Sequence, residues 1–247
     1  MAVEHDDRTP ADRRRFTVPR GLVMLAALWT FASWTILFGL SPPVQAQAAS
    51  YGPSITLLFT SVGVGLGVGW PLLRLTQQAS AAPIRQSLAD AAALVFLLQV
   101  VVWPLRLVTA WSMDRTLAVV AAFAIAASTI GAALAIAGRA SSGRGRAAAM
   151  LVLVGATLAP TPLVLPDADA AAGPRVVGEI AVSLSPAALL ARFSAPEPLG
   201  LGAADLSLLR TAAAVSGALW LCAFGVAFGV ALAGRRTSPR DRPRETV

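Results

Sequence analysis

Residues 21–40 read GLVMLAALWTFASWTILFGL and contain no charged side chain. A helix needs about 20 mainly apolar residues to cross the hydrocarbon core of a bilayer, which is about 30 Å thick. The composition of the whole chain agrees, because 56% of its 247 residues are hydrophobic and only 13% are charged, against about 25% charged in an average soluble domain. The sequence therefore predicts an all-α fold, a polytopic transmembrane helical bundle.

Five further segments are long and apolar enough, or nearly so, to cross a membrane. They cover residues 53–73, 88–108, 116–138, 147–165 and 211–233. The fourth of these five is the weakest, because prolines at 160 and 162 interrupt it and proline breaks helices. We expect six spans within a transmembrane domain at 21–233, with the fifth span kinked near its prolines.

The basic residues predict the orientation of these spans. All 20 are arginine, and with both termini inside, the inner segments hold 15 of them. Cytoplasmic loops carry the excess of basic residues, so we expect a multi-pass protein of the cell membrane, such as a bacterial inner membrane, with cytoplasmic N- and C-termini. The net charge of +7 then faces anionic lipid of the bilayer, and no nucleic-acid partner is expected.

The polar segments are two tails and one loop. Residues 1–20 and 234–247 combine proline with mixed charge and are expected to be disordered cytoplasmic tails. The outer loop at 166–210 is too long to lack structure. We expect a short amphipathic helix there with the sequence PAALLARF (186–193), capped by Ser185 and lying along or dipping into the outer leaflet.

The N-terminal region also fits a cleaved export signal. Arg13-Arg14-Arg15-Phe16 is similar to a twin-arginine motif, and Ala46-Gln47-Ala48 has the form of a cleavage site. A signal core has about 7–15 apolar residues, which is shorter than the run here. We favour an uncleaved first helix, with cleavage as the alternative.

Glycines recur at four-residue spacing in two predicted spans. Small residues four apart share one helix face and allow two backbones to approach closely. We interpret the following glycines as helix-packing candidates: Gly63, Gly65, Gly67 and Gly69 in the second span, and Gly225 and Gly229 in the last.

Three polar residues fall inside or near the third span, where charge is costly and usually functional. Asp90 is a candidate intramembrane site or else a partner for the helix N-terminal dipole. Gln99 is a candidate site or an interhelical hydrogen bond. Arg106 becomes a candidate if the third helix runs on to Trp111.

A short phrase occurs twice, as WPLLRL at 70–75 and as WPLRL at 103–107. Tryptophan and arginine favour the membrane interface, and proline ends helices. The phrase predicts that the second and third helices stop at these points.

Residue usage excludes several kinds of chemistry. The chain has one cysteine, one histidine (His5) and no lysine. It cannot form an internal disulfide, a Cys/His zinc site or a P-loop. We expect no catalytic residue, no cofactor, no metal site and no enzyme activity.

Six spans with both ends inside and a long outer segment before the last span resemble the permease subunit of an export-class (type-2) ABC transporter. The resemblance covers the layout of residues 21–234 and includes LSPAALL at 184–190. It implies transport of a substrate driven by a separate cytosolic ATPase, which would dock at loops 74–87 and 139–146. It also implies a homodimer, or a heterodimer with another membrane subunit.

The chain departs from that family before its first span, where residues 12–20 are short and very basic and so differ from the family's amphipathic helix. A different reading is a non-catalytic membrane scaffold or assembly factor that binds other membrane proteins. A self-contained channel or carrier is disfavoured by the scarcity of intramembrane charge.

Overall fold

The computed structural model describes residues 20–36, 48–77, 82–109, 111–140, 142–158, 175–195 and 201–236. In this part of the chain the fold is all-helical, without β-strands, as the sequence predicts. Most of both tails, the twin-arginine motif and the prolines at 160 and 162 lie outside the described residues.

Within the described residues, nine α-helices and one π-helical turn follow one another along the chain. They are α1 (Arg20–Trp34), α2 (Ala48–Val64), a π-helical turn (Gly65–Gly69), α3 (Trp70–Thr76), α4 (Pro83–Thr109), α5 (Met113–Ala137), α6 (Gly143–Leu158), α7 (Arg175–Leu184), α8 (Pro186–Ser194) and α9 (Ala203–Arg236).

Four continuous helical stretches of the described residues are long and apolar enough to cross a membrane. These stretches are Tyr51–Thr76, Pro83–Arg106, Met113–Ala137 and Ala203–Val230. They suit a membrane-embedded protein. Helices α1 and α6 have 15 and 16 residues, about 23 Å each, and are shorter than these four.

The two Trp-Pro phrases lie at the ends of helical stretches, as predicted, because these stretches end at Thr76 and Thr109, but the prolines themselves do not end the helices. Pro71 lies in the first turn of α3, directly after the π turn, and Pro104 lies inside α4, which continues to Thr109. Membrane helices tolerate proline where neighbouring helices satisfy the freed backbone groups. The last helix also begins earlier than expected, at Ala203, where Asp205 accepts a hydrogen bond from the Gly202 amide.

The first helices of the bundle alternate in direction. Trp29 on α1 donates a hydrogen bond to the Ser61 carbonyl on α2. Arg74 near the end of α3 contacts Asp90 in the first half of α4. Pro83 at the start of α4 lies near Gly138 at the end of α5. One end of the bundle thereby collects the starts of α1, α4 and α6 and the ends of α3 and α5. We call it the arginine-rich end, because it carries Arg20, Arg74, Arg85, Arg139, Arg144 and Arg146.

Helix α8 lies in the core of the bundle, packed against α2, α5 and α6. Its bounds and its cap are close to the prediction, since the Ser185 side chain accepts a hydrogen bond from the Ala188 amide. The expected contact with lipid of the outer leaflet is wrong for Ala187 to Leu190, because these residues are completely buried by protein. Small side chains allow this burial: Ala187 fits directly over Gly63 of α2.

Helix α9 is the longest and the most exposed of the described helices. It runs parallel to α5, and its Ser216 and Trp220 side chains both hydrogen bond to Ser128 of α5 at 2.9 Å. Most of its side chains at 221–230 are exposed, including Leu221 and Phe228.

Candidate functional site

Four polar side chains meet near the arginine-rich end, and we call them the Asp90 cluster: Trp70, Arg74, Gln86 and Asp90. The Asp90 side chain is 1% exposed. The Arg74 guanidinium donates to both of its carboxylate oxygens, at 2.5 Å each. The Trp70 indole donates at 3.2 Å and the Gln86 amide at 2.9 Å. Both oxygens of this buried carboxylate therefore accept hydrogen bonds from protein side chains.

The positions along the helices explain why these side chains converge. Trp70 and Arg74 are one turn apart on α3, and Gln86 and Asp90 are one turn apart on α4, so each pair lies on one helix face. A π turn immediately precedes Trp70. Such turns shift the helix register and are frequent at functional sites.

The cluster extends to a third helix. The second terminal nitrogen of Arg74 donates to the Gln77 side chain at 2.9 Å, and Arg146 of α6 donates to the Gln77 carbonyl at 3.2 Å. The polar contacts thus join the end of α3, the first turns of α4 and the start of α6. They connect the elements that flank both loops at this end of the bundle.

Among the predicted polar candidates, Asp90 forms a site, although not as a helix-dipole partner. It stands beyond the first turn of α4, and its contacts come from side chains. Because its carboxylate already accepts four hydrogen bonds, the arrangement fits a fixed clamp between α3 and α4 better than a ligand-binding or proton-transfer site.

Gln99 and Arg106 lie elsewhere on α4. The Gln99 amide donates to the Val95 carbonyl and accepts from the Trp103 indole. These bonds stay within one helix, and among the described residues Gln99 has no interhelical hydrogen bond. Arg106 is half-buried in the last turn, 16 residues from Asp90, or about 24 Å along the helix. The three candidates do not form one site.

Three of the candidate glycines lie at close helix contacts. A Cβ added at Gly63 would lie 2.5 Å from the Ala187 Cα, and one at Gly65 would lie 2.8 Å from the Trp29 indole nitrogen. A Cβ at Gly67 would overlap the Thr157 side chain. These glycines let α8, α1 and α6, respectively, approach one helical stretch.

The other three glycines have no close neighbour. A Cβ added at Gly69, Gly225 or Gly229 would meet no described atom within 4 Å. No helix of the part of the chain that the structure describes packs closely against these three glycines.

The Gly63 and Gly67 contacts lie on either side of the junction where α6 ends and α8 begins, although α7 separates these two helices in the sequence. We call this junction the break. Helices α6 and α8 both run antiparallel to the α2–α3 stretch, and they meet end to end near its centre. The Ser185 hydroxyl at the start of α8 donates to the Thr157 carbonyl near the end of α6, at 2.6 Å. The same hydroxyl caps α8, so one side chain serves both helix ends at the middle of the bundle.

At the end of the bundle opposite the arginine-rich end, Arg115 connects the start of α5 to the residue that follows α8. It is 9% exposed, stacks over Trp111 and donates to the Ala195 carbonyl just beyond α8. Sequence reasoning missed this role, because it counted Arg115 only as a loop charge. The available signal is its position directly before the predicted span at 116–138 and three residues after Ser112, a residue type that caps helices.

The described residues contain no group of three or more His, Cys, Asp or Glu side chains that could hold a metal ion. Comparison with protein-family models, curated proteins and solved structures finds no match for this chain.

Proposed function

We propose that this protein is an integral membrane transport subunit, the permease partner of a separate cytosolic ATPase, and that it exports a substrate. The observation that carries the proposal is the break between α6 and α8 in the middle of the bundle. Non-helical backbone at membrane depth is tolerated only where it is buried in protein or lines a cavity. Transporters use such discontinuous helices at their moving parts.

Six crossings complete the proposal. Helices α1, α2–α3, α4, α5 and α9 account for five of them. The sixth is shared, because α6 leaves the arginine-rich end and reaches the middle, and α8 runs from the middle to the opposite end. The arginine-rich end is then cytoplasmic, as the positive-inside rule requires.

The Asp90 cluster gives this permease a way to transmit movement. The loops at 74–87 and 139–146 are the proposed docking surface for the ATPase. Arg74, Gln77 and Arg146 join these loops to α3, α4 and α6. Since α6 ends at the break, force applied at the loops reaches the junction with α8 through one helix.

The experiment is to purify the tagged full-length chain from its native membrane and to assay the eluate for ATP hydrolysis. We expect a co-purifying ATPase, and about a tenfold loss of it in the double variant Arg85→Glu, Arg144→Glu, because both arginines are exposed at the docking end. Arg210→Glu, exposed near the opposite end, is the matched control.

Recovery of no ATPase with the unmodified chain would overturn the proposal. Equal loss of ATPase with Arg210→Glu would overturn the assignment of the docking end.

A membrane scaffold or assembly factor is the second candidate function, and the exposed part of α9 favours it. Gly225 and Gly229 lie on the part of α9 beyond Trp220, where most of the described side chains are exposed. A scaffold would use this face to bind other membrane proteins, and crosslinking from α9 would then capture the same partners with and without nucleotide. A transport subunit predicts crosslinks that change when ATP is added.

A further inference from the structure

An apolar groove opens on the side of the bundle between α1, the π turn with α3, and α4. Its volume is about 390 Å³, within the range of about 300–1,000 Å³ typical of small-molecule sites. Its walls include Leu22 and Trp29 of α1, Gly69 of the π turn, Leu73 of α3 and Leu98 of α4. The lining is almost wholly apolar, so the occupant must present hydrocarbon.

The groove has the length of one leaflet. It reaches from Leu22 and Thr76 at the arginine-rich end to Thr30 and Val62 near the middle of the bundle. Eight residues of α1 separate its limits, or about 12 Å of helix, and half of the hydrocarbon core is about 15 Å. A single acyl chain from the leaflet at the arginine-rich end matches this extent.

The charge at the arginine-rich end of the groove determines which lipid headgroup it favours. We call this end the mouth. Asp90 is the one acidic residue at the arginine-rich end within the described ranges, and Arg74 neutralises it. The remaining arginines there have no acidic counterpart in that part of the chain. Arg20 is exposed at the first position of α1, two residues before the groove residue Leu22. An anionic group is therefore favoured at the mouth.

We propose that this groove binds an anionic phospholipid of the leaflet at the arginine-rich end. One acyl chain lies along Trp29 and Gly69, and the phosphate lies beside Arg20. This lipid fills the space between α1 and α3 and holds α1 against the bundle. The site is independent of the proposed transport activity.

The test uses tryptophan quenching by brominated lipid, because Trp29 and Trp70 both line the groove. The purified full chain is placed in phosphatidylcholine nanodiscs that contain a small fraction of brominated phosphatidylglycerol or brominated phosphatidylcholine. We expect half-maximal quenching at about a fivefold lower fraction of the anionic lipid, since one arginine near the surface contributes about 1 kcal/mol.

Two variants and their controls locate the effect. Gly69→Leu fills the groove where an added Cβ meets no described atom, and we expect it to abolish the preference. Gly225→Leu, at an equally open glycine outside the groove, retains it. Arg20→Gln removes the headgroup contact without altering the core, and we expect it to lose the fivefold preference, while Arg144→Gln retains it.

Equal quenching by the two lipids in the unmodified chain would overturn the proposal, as would a preference that survives Gly69→Leu. If a second copy of the chain fills the groove instead, the chain elutes as a dimer that Gly69→Leu converts to a monomer. That result would also overturn the lipid proposal.

Discussion

Two pairs of glycines in this protein share a four-residue spacing and have opposite surroundings. Gly63 and Gly67 lie against Ala187 of α8 and Thr157 of α6, whereas Gly225 and Gly229 on α9 face open space. The spacing permits close approach but does not bring a partner. In a bilayer, lipid tails solvate an apolar helix face as well as another helix does. Close packing also needs a small or polar group on the opposing helix. Ala187 of α8 and Thr157 of α6 provide such groups for Gly63 and Gly67, and no described helix provides one for Gly225 and Gly229.

The largest expected difference between the packed helices and the exposed helix α9 is in the strength of their polar contacts. Asp90→Leu leaves the Arg74 guanidinium without its carboxylate, and breaking a buried ion pair costs about 3 kcal/mol or more of unfolding free energy. Ser216→Ala removes one of the side-chain bonds between α9 and α5, and membrane hydrogen bonds average about 0.6 kcal/mol. Unfolding of the full chain by SDS in mixed micelles, followed by circular dichroism, measures both.

The double variant Arg74→Leu, Asp90→Leu is the control for this difference. It leaves no unpaired charge, so we expect it to regain part of the stability that Asp90→Leu loses. Equal losses for Asp90→Leu and Ser216→Ala would show that the Asp90 cluster is no stronger than an ordinary helix contact.

An intermediate effect is expected from filling one glycine of each pair. The nearest neighbours of an added Cβ at Gly63 are backbone atoms of Pro186 and Ala187, which cannot move without shifting α8. We expect Gly63→Leu to destabilise the chain by about 2 kcal/mol through overpacking. Gly225→Leu should stay within about 0.5 kcal/mol. The same titration measures both, and similar losses at the two sites would break the comparison.

The smallest effect is expected at Gly67, the second glycine of the packed pair. At Gly67 the overlap is with a side chain, that of Thr157, and a side chain gives way more easily than backbone. We expect Gly67→Ala to cost about 1 kcal/mol. In the Thr157→Ala background we expect the cost to fall, because Oγ1 and Cγ2 are removed while the Cβ, 2.9 Å from the added Cβ, remains. A double-mutant cycle measures the coupling directly, and a coupling energy near zero would show that Thr157 does not set the limit at Gly67.

Helix α8 shows what the sequence can predict. Its start follows from local chemistry, because serine caps a helix and proline suits the first turn, and both features are present at residues 185 and 186. Its burial could not be predicted. An apolar side chain looks the same in sequence whether lipid or protein surrounds it, so the pattern PAALLARF fits an interfacial helix as well as a core helix.

Asp90 teaches a similar lesson about the candidate site. The cost of a charge in a membrane marks this residue from sequence alone. Its partner depends on how α3 turns relative to α4, and the π turn at Gly65–Gly69 sets that rotation. The sequence GLGVG at 65–69 is equally compatible with a π turn and with the α-helix that we expected.

The stacking of α6 and α8 on α2 has a consequence for the order in which the protein is made. Pro186 follows Val64 by 122 positions, so the face of α2 that holds Gly63 is synthesised long before the helix that covers it. At roughly 5–20 residues per second, that interval is roughly 6 to 24 s. During this time the core lacks one of its walls, and a chain truncated before α8 would keep that incomplete state permanently.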